Sequence, residues 1–110
     1  MTSQEATPRI RVLIAEDEEN LGTILGQFLT GRGCAVTTVR DGRAALQALR
    51  ADTYDVALLD IVMPELDGLA VLRAVREEPH PPECIIITGN GTIETAITAM
   101  KLGAYDYLSK

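Results

Sequence analysis

The chain has 110 residues, 46% of them hydrophobic, which is enough for one small domain with a single core and too few for two. Its net charge of −6 argues against direct nucleic-acid binding, which needs Lys and Arg clustered on one face. No apolar stretch approaches the roughly 18 residues of a membrane span, and Met1 to Pro8 is polar without the apolar centre of a signal peptide. A cytoplasmic protein is expected, with residues 1–8 a flexible tail and 9–110 the domain.

Apolar runs of strand length alternate with segments of helical spacing. Strands are expected at Ile10 to Ala15, Ala35 to Val39, Val56 to Leu59, Cys84 to Thr88 and Tyr105 to Ser109. Between the first two, Leu21, Ile24, Leu25, Phe28 and Leu29 recur at i, i+3, i+4, i+7 and i+8, the apolar stripe of a helix ended by Gly31 and Gly33. Ala45, Ala48 and Leu49 mark a second helix after the Asp41-Gly42 turn. Leu69, Leu72 and Val75 mark a third, from about Gly68 to Glu77, closed by Pro79, Pro81 and Pro82. The fourth carries Ile93, Ala96, Ile97 and Met100, with Thr92 as N-cap and Gly103 as stop. On it, Ile93, Ile97 and Met100 are expected in the core, and the face with Thr95 and Thr98 at an interface. Cys34 and Cys84 lack the paired spacing of a zinc site, and His80 is the single histidine, so both cysteines read as reduced thiols.

This order is (βα)4β. Strands that are continuous apolar runs are buried on both faces of a parallel sheet, with right-handed crossovers placing helices on both sides. The functional crevice of such a sheet lies outside the carboxyl ends of its strands. Glu16 and Asp17 follow the first strand, Asp60 the third, Thr88 ends the fourth and Lys110 follows the fifth. Three carboxylates meeting there repel by about 4 kcal/mol per pair at 4 Å and an effective dielectric near 20, so one protonates or a cation binds. Oxygen ligands select Mg²⁺. A bland reading stands beside each: Glu16 and Asp17 as part of a solvated acidic loop with Glu18 and Glu19, Thr88 as an ordinary β-branched strand residue, Lys110 as a solvated end.

Four motifs, in order, resemble the receiver domain of two-component response regulators: Glu16-Asp17; Asp60-Ile61-Val62-Met63-Pro64-Glu65-Leu66-Asp67-Gly68; Ile87-Thr88-Gly89; and Tyr107-Leu108-Ser109-Lys110. The segments Gly91 to Ala96 and Gly103 to Leu108 look most like receivers attached to ATPase-type transcriptional activators. The resemblance implies a flavodoxin-like, doubly wound α/β fold. It implies that Asp60 takes a phosphoryl group from a sensor histidine kinase or phosphotransfer protein. Mg²⁺ would be held by Asp17, Asp60, the Val62 backbone carbonyl and Glu16, the last partly through water. Lys110 and Thr88 would each meet a phosphoryl oxygen, and Thr88 with Tyr107 would form the switch, Tyr107 turning inward to repack the surface of the fourth helix and fifth strand. Tyr105 competes for that role at a spacing that does not match. Val62 and Asn90 flank the hydrolytic water in the family, so an apolar Val62, which cannot orient a water, beside Asn90, which could, implies a phosphorylated form of moderate persistence. Such a chain is a regulatory phosphoacceptor that assists its own phosphotransfer and autodephosphorylation, with transcription as the expected output.

The family carries a proline and a fifth helix after the lysine, and this sequence stops at Lys110, so that helix is expected to be absent and apolar surface left uncovered. A second copy of the chain, meeting through the fourth helix and fifth strand or through the uncovered face, is one expected partner. Rival chemistries fail on single residues. A phosphatase of the haloacid dehalogenase type carries a second aspartate where Val62 stands, and an FMN carrier needs a phosphate loop where Glu16 to Glu19 stand. The alternative that remains is a receiver-like module that signals by binding without phosphate.

Overall fold

The computed structural model describes residues 9–89 and 92–110. The elements run β1 (Arg11–Ala15), α1 (Glu19–Gly31), β2 (Ala35–Val39), α2 (Gly42–Ala51), β3 (Val56–Asp60), α3 (Gly68–Val75), β4 (Glu83–Thr88), α4 (Ile93–Lys101) and β5 (Asp106–Ser109). The strands form one parallel sheet in the order β2-β1-β3-β4-β5. The strand order reverses between β1 and β3, and the crevice outside their carboxyl ends is the switch point of such a sheet. Among the described residues, no helix is long and apolar enough to cross a membrane.

Alternation along the central strands divides the core. Leu13, Ala15, Ala57, Leu59, Cys84 and Ile86 face one side, where Ala45, Leu49, Val71, Leu72, Val75 and Ala99 of α2, α3 and α4 complete the cluster. Val12 and Ile14, in register with Val36 and Thr38, face α1. Three helices start on side-chain caps that satisfy otherwise unpaired backbone N–H groups. Asp41 accepts from Ala44 N–H at 2.7 Å and Asp67 from Ala70 N–H at 2.8 Å. Thr92 and Thr95 form a reciprocal capping box on α4.

Two apolar stripes differ from the sequence expectation. On α1, Leu21, Leu25 and Leu29 are half-buried, but Ile24 and Phe28 are 60% and 57% exposed. The helix seats Gly22 against Thr38 of β2, and Ile24 and Phe28 lie on the flank turned away from β2, where no described helix packs. Leu108, on the same side of the sheet, is 45% exposed. On α4 the stripe is inverted. Ile93, Ile97 and Met100 are 79%, 49% and 48% exposed, whereas Ala99 is fully buried and Thr95 and Ala96 are half-buried. Small side chains let this helix sit close to β5, which leaves its large apolar residues outside, so the expected core face is the outer face and Thr95 belongs to the inner one.

Candidate functional site

Ladder hydrogen bonds fix each candidate residue at the carboxyl edge of the sheet. The Glu16 N–H donates to the Val39 carbonyl at 3.0 Å, which carries β1 one residue past Ala15. Asp60 is the last residue of β3, and the next N–H, of Ile61, donates to the Ile87 carbonyl at 3.1 Å. The Lys110 N–H donates to the Thr88 carbonyl at 2.9 Å. Glu16, Asp60 and Thr88 are 0%, 3% and 2% exposed, the three buried polar residues of the described chain.

One oxygen from each of Glu16, Asp17 and Asp60 can be chosen so that all lie within 4.8 Å of one another. The Lys110 ammonium stands 2.9 Å from Asp60 Oδ2 and 2.9 Å from Glu16 Oε1. The other oxygens accept backbone donors: Glu16 Oε2 from Glu18 N–H at 3.0 Å, Asp60 Oδ1 from Val62 N–H at 3.2 Å. Glu16 Oε1 is buried, and among the described residues the Lys110 ammonium is the positive group beside it. Burial pushes the Glu16 carboxyl above its usual range and the nearby Asp60 adds to this, against the pull of Lys110 and the Glu18 N–H. Burial acts to lower the Lys110 ammonium, but the hydrogen bonds and charges of Asp60 and Glu16 outweigh it and the net shift is upward. A single ammonium thus pairs with two members of a three-carboxylate cluster. Three carboxylates with oxygens within 4.8 Å of one another leave a surplus of negative charge over one ammonium, which suits an oxygen-liganded divalent cation.

The loop after Asp60 is held by close backbone contacts. Glu65 has φ of 71°, at the centre of a tight turn closed by the Leu66 N–H on the Pro64 carbonyl at 2.8 Å. A side chain on Gly68 would overlap the Asp60 carbonyl oxygen, and one on Gly42 would overlap the Leu66 carbonyl. Sequence reasoning treated both glycines as turn and helix-start residues; their role as contact points appears only once the strands are placed. Val62 is 65% exposed beside the site. Tyr107 is half-buried against the core and its hydroxyl is 3.1 Å from Thr95 Oγ1, whereas Tyr105 is 65% exposed. Asn90 lies outside the described residues, as do residues 1–8.

The site residues Glu16, Asp17, Asp60, Thr88 and Lys110 therefore meet at one rim, with Tyr107 one strand away. Residues 12–110 match the family described as response regulator receiver domain. Over 97 residues the chain is 38% identical to the DNA-binding transcriptional regulator NtrC of Klebsiella pneumoniae, covering 88% of this chain and 21% of that protein. The chain thus spans about a fifth of this relative's length. The receiver domain of the Francisella response regulator 1452 superposes with a TM-score of 0.86 at 30% identity, over 93% of this chain and 84% of that one. A Burkholderia pseudomallei response regulator, solved with a phosphorylated aspartic acid and a calcium ion, superposes with a TM-score of 0.85 at 27% identity, over 91% of this chain and 59% of that one. With the flavodoxin-like sheet order, the acidic rim and a family match that runs from β1 to Lys110, the chain belongs to the response regulator receiver domain family.

Proposed function

We propose that Asp60 accepts a phosphoryl group from the phosphohistidine of a sensor histidine kinase or phosphotransfer protein, and that this controls a transcriptional output. The observation that carries the reading is the pairing of buried Asp60 with Lys110 at 2.9 Å inside a three-carboxylate cluster. Lys110 holds the charge of Asp60 in place, and the Val62 N–H fixes the carboxylate plane through Oδ1, so the nucleophile is oriented before the donor arrives. A carboxylate oxygen of Asp60 forms the new O–P bond as the P–N bond of the donor breaks. Lys110 and the Thr88 hydroxyl then each meet a phosphoryl oxygen. Glu16, Asp17, Asp60 and the Val62 carbonyl would hold Mg²⁺, which when bound screens the negative charge of the incoming phosphoryl oxygens. The acyl phosphate lasts moderately because exposed, apolar Val62 cannot orient a water for its hydrolysis whereas Asn90 could.

The transcriptional output rests on the NtrC relative, of which this chain matches only the receiver-length part, and an ATPase-type activator domain is the corresponding proposal for the whole protein. The test is intact mass after incubation with acetyl phosphate, with and without Mg²⁺, beside Asp60→Asn. A metal-dependent gain of one phosphoryl group that is lost in the variant is expected. No gain in a folded, Mg²⁺-binding protein would turn the reading toward a module that acts by binding alone.

A further inference from the structure

Thr95 occupies the third position of α4, on the side turned toward β5, and its hydroxyl meets four polar atoms. A threonine hydroxyl has one proton and two acceptor lone pairs. Its proton goes to the Thr92 carbonyl at 2.9 Å, and one lone pair takes the Thr92 N–H at 2.9 Å. Its remaining neighbours are two hydroxyls, Tyr107 at 3.1 Å and Thr92 at 3.3 Å, and the nearer one ties Thr95 to β5. Thr95 and Tyr107 are both half-buried, so their bond is partly shielded from water. Through it, the aromatic ring of β5 is tied to the first turn of α4, the helix that follows Thr88 in the chain.

We propose that the Thr95 hydroxyl is a latch that holds Tyr107 against the first turn of α4 and opposes its reorientation when the site is filled. The latch acts in the arrangement in which Lys110 bridges Asp60 and Glu16, and it deepens, and rests on, the reading of Asp60 as the phosphoacceptor. A hydrogen bond made in one of two states biases their equilibrium by its own net worth. By linkage that bias appears in the affinity of any ligand that prefers the other state. Thr95 is thus a positioning residue that touches neither Asp60 nor a phosphoryl group.

The test uses beryllofluoride with Mg²⁺ as the probe and Thr95→Val, Thr95→Ser, Tyr107→Phe and the Val/Phe double variant. Thr95→Val and Tyr107→Phe should each tighten beryllofluoride binding by about two- to tenfold, the span of one net hydrogen bond. Thr95→Ser should behave as the parent. Thr95→Val also removes part of the α4 cap, whereas Tyr107→Phe leaves the cap intact, so a latch requires the double variant to bind no tighter than Thr95→Val alone. Additive effects, or no change in either single variant, would overturn it. Ring ¹³C signals of the tyrosines, recorded without any ligand, supply a second reading: the Tyr107 signal should move in Thr95→Val and not in Thr95→Ser. If the parent fails to bind beryllofluoride, the phosphoacceptor reading falls, and the ring signal still decides the latch, an unmoved Tyr107 ring overturning it.

Discussion

Gly68 opens α3 directly against the carbonyl of Asp60: a Cβ there would overlap the carbonyl oxygen and stand 2.9 Å from the carbonyl carbon. The Gly68 N–H also donates to the Ile61 carbonyl at 3.0 Å, so the loop from 61 to 67 is drawn back onto the end of β3. The position of Asp60 is therefore set as much by the start of the following helix as by its own strand.

Gly68→Ala is accordingly expected to destabilise the domain by about 1–3 kcal/mol, the range for overpacking against a contact that cannot yield. It should also lower the rate of phosphorylation by acetyl phosphate, because the clash is with the main chain of Asp60, the proposed phosphoacceptor. Chemical denaturation and the mass assay give the two numbers. A variant as stable as the parent would show that the loop can move away freely.

The exposed stripe of α4 makes an opposite prediction. Ile97→Gln should change stability by less than about 0.5 kcal/mol, as for surface sites without special contacts. Ala99→Leu should cost about 1–3 kcal/mol, because Ala99 is fully buried where α4 meets the core. The comparison is a pair of denaturation midpoints. The reverse order would restore the assignment that periodicity suggested.

That reversal marks how far the sequence could be read. β2 was legible to the residue, and β1, β3, β4 and β5 to within one residue at an end, because each is a short apolar run bounded by polar or turn residues. The meeting of Glu16, Asp17, Asp60, Thr88 and Lys110 was legible too, since all follow or end parallel strands whose order brings their carboxyl ends together. The outward face of α4 was not, because Ile93, Ile97 and Met100 satisfy a helical repeat whichever side they occupy, and only the close approach of Ala99 decides. Nor was the full burial of Glu16 against Lys110, since the acidic run Glu16 to Glu19 does not tell which of its members turns inward. The Thr95 bond to Tyr107 joins residues twelve apart on different elements, which no local pattern encodes.

An acid-side dependence follows from the far end of the sheet, where Asp52 receives both terminal nitrogens of Arg11 at 2.8 and 2.6 Å. Hydrogen bonding from Arg11 first, the Thr53 N–H second and the charge of Arg11 last hold the Asp52 carboxyl down at about 2 against an ordinary 3.8. A depressed carboxyl contributes stability that is present above its unfolded value and lost as pH falls through its folded value. The advantage of the parent over Asp52→Asn should therefore be constant above about pH 5 and disappear between roughly pH 4 and pH 2. Both groups are open to solvent, so it should also shrink in high salt. Denaturation midpoints across that range, at low and high ionic strength, check the sign and the window.

Lys110 offers the sharpest test of charge balance. Its ammonium is 2.9 Å from two carboxylates whose side chains are 0% and 4% exposed, and removing one partner of such a pair leaves charge buried without compensation. Lys110→Met should lower metal-free stability, by less than the roughly 3–5 kcal/mol of a fully buried pair. Lys110 is itself 24% exposed, and Glu16, already shifted toward its protonated form, can neutralise. On the proposed reading Mg²⁺ would supply the missing positive charge to the same carboxylates, so it should raise the melting temperature more in Lys110→Met than in the parent, in proportion to a tighter metal affinity. Phosphorylation by acetyl phosphate should nevertheless fall, because the phosphoryl oxygens have lost their fixed cation. Metal binding would then rise while phosphoryl transfer declines, a divergence that a merely unfolded variant cannot produce. Equal Mg²⁺ increments in the two proteins would mean that Lys110 and the metal do not share the charge of Glu16 and Asp60.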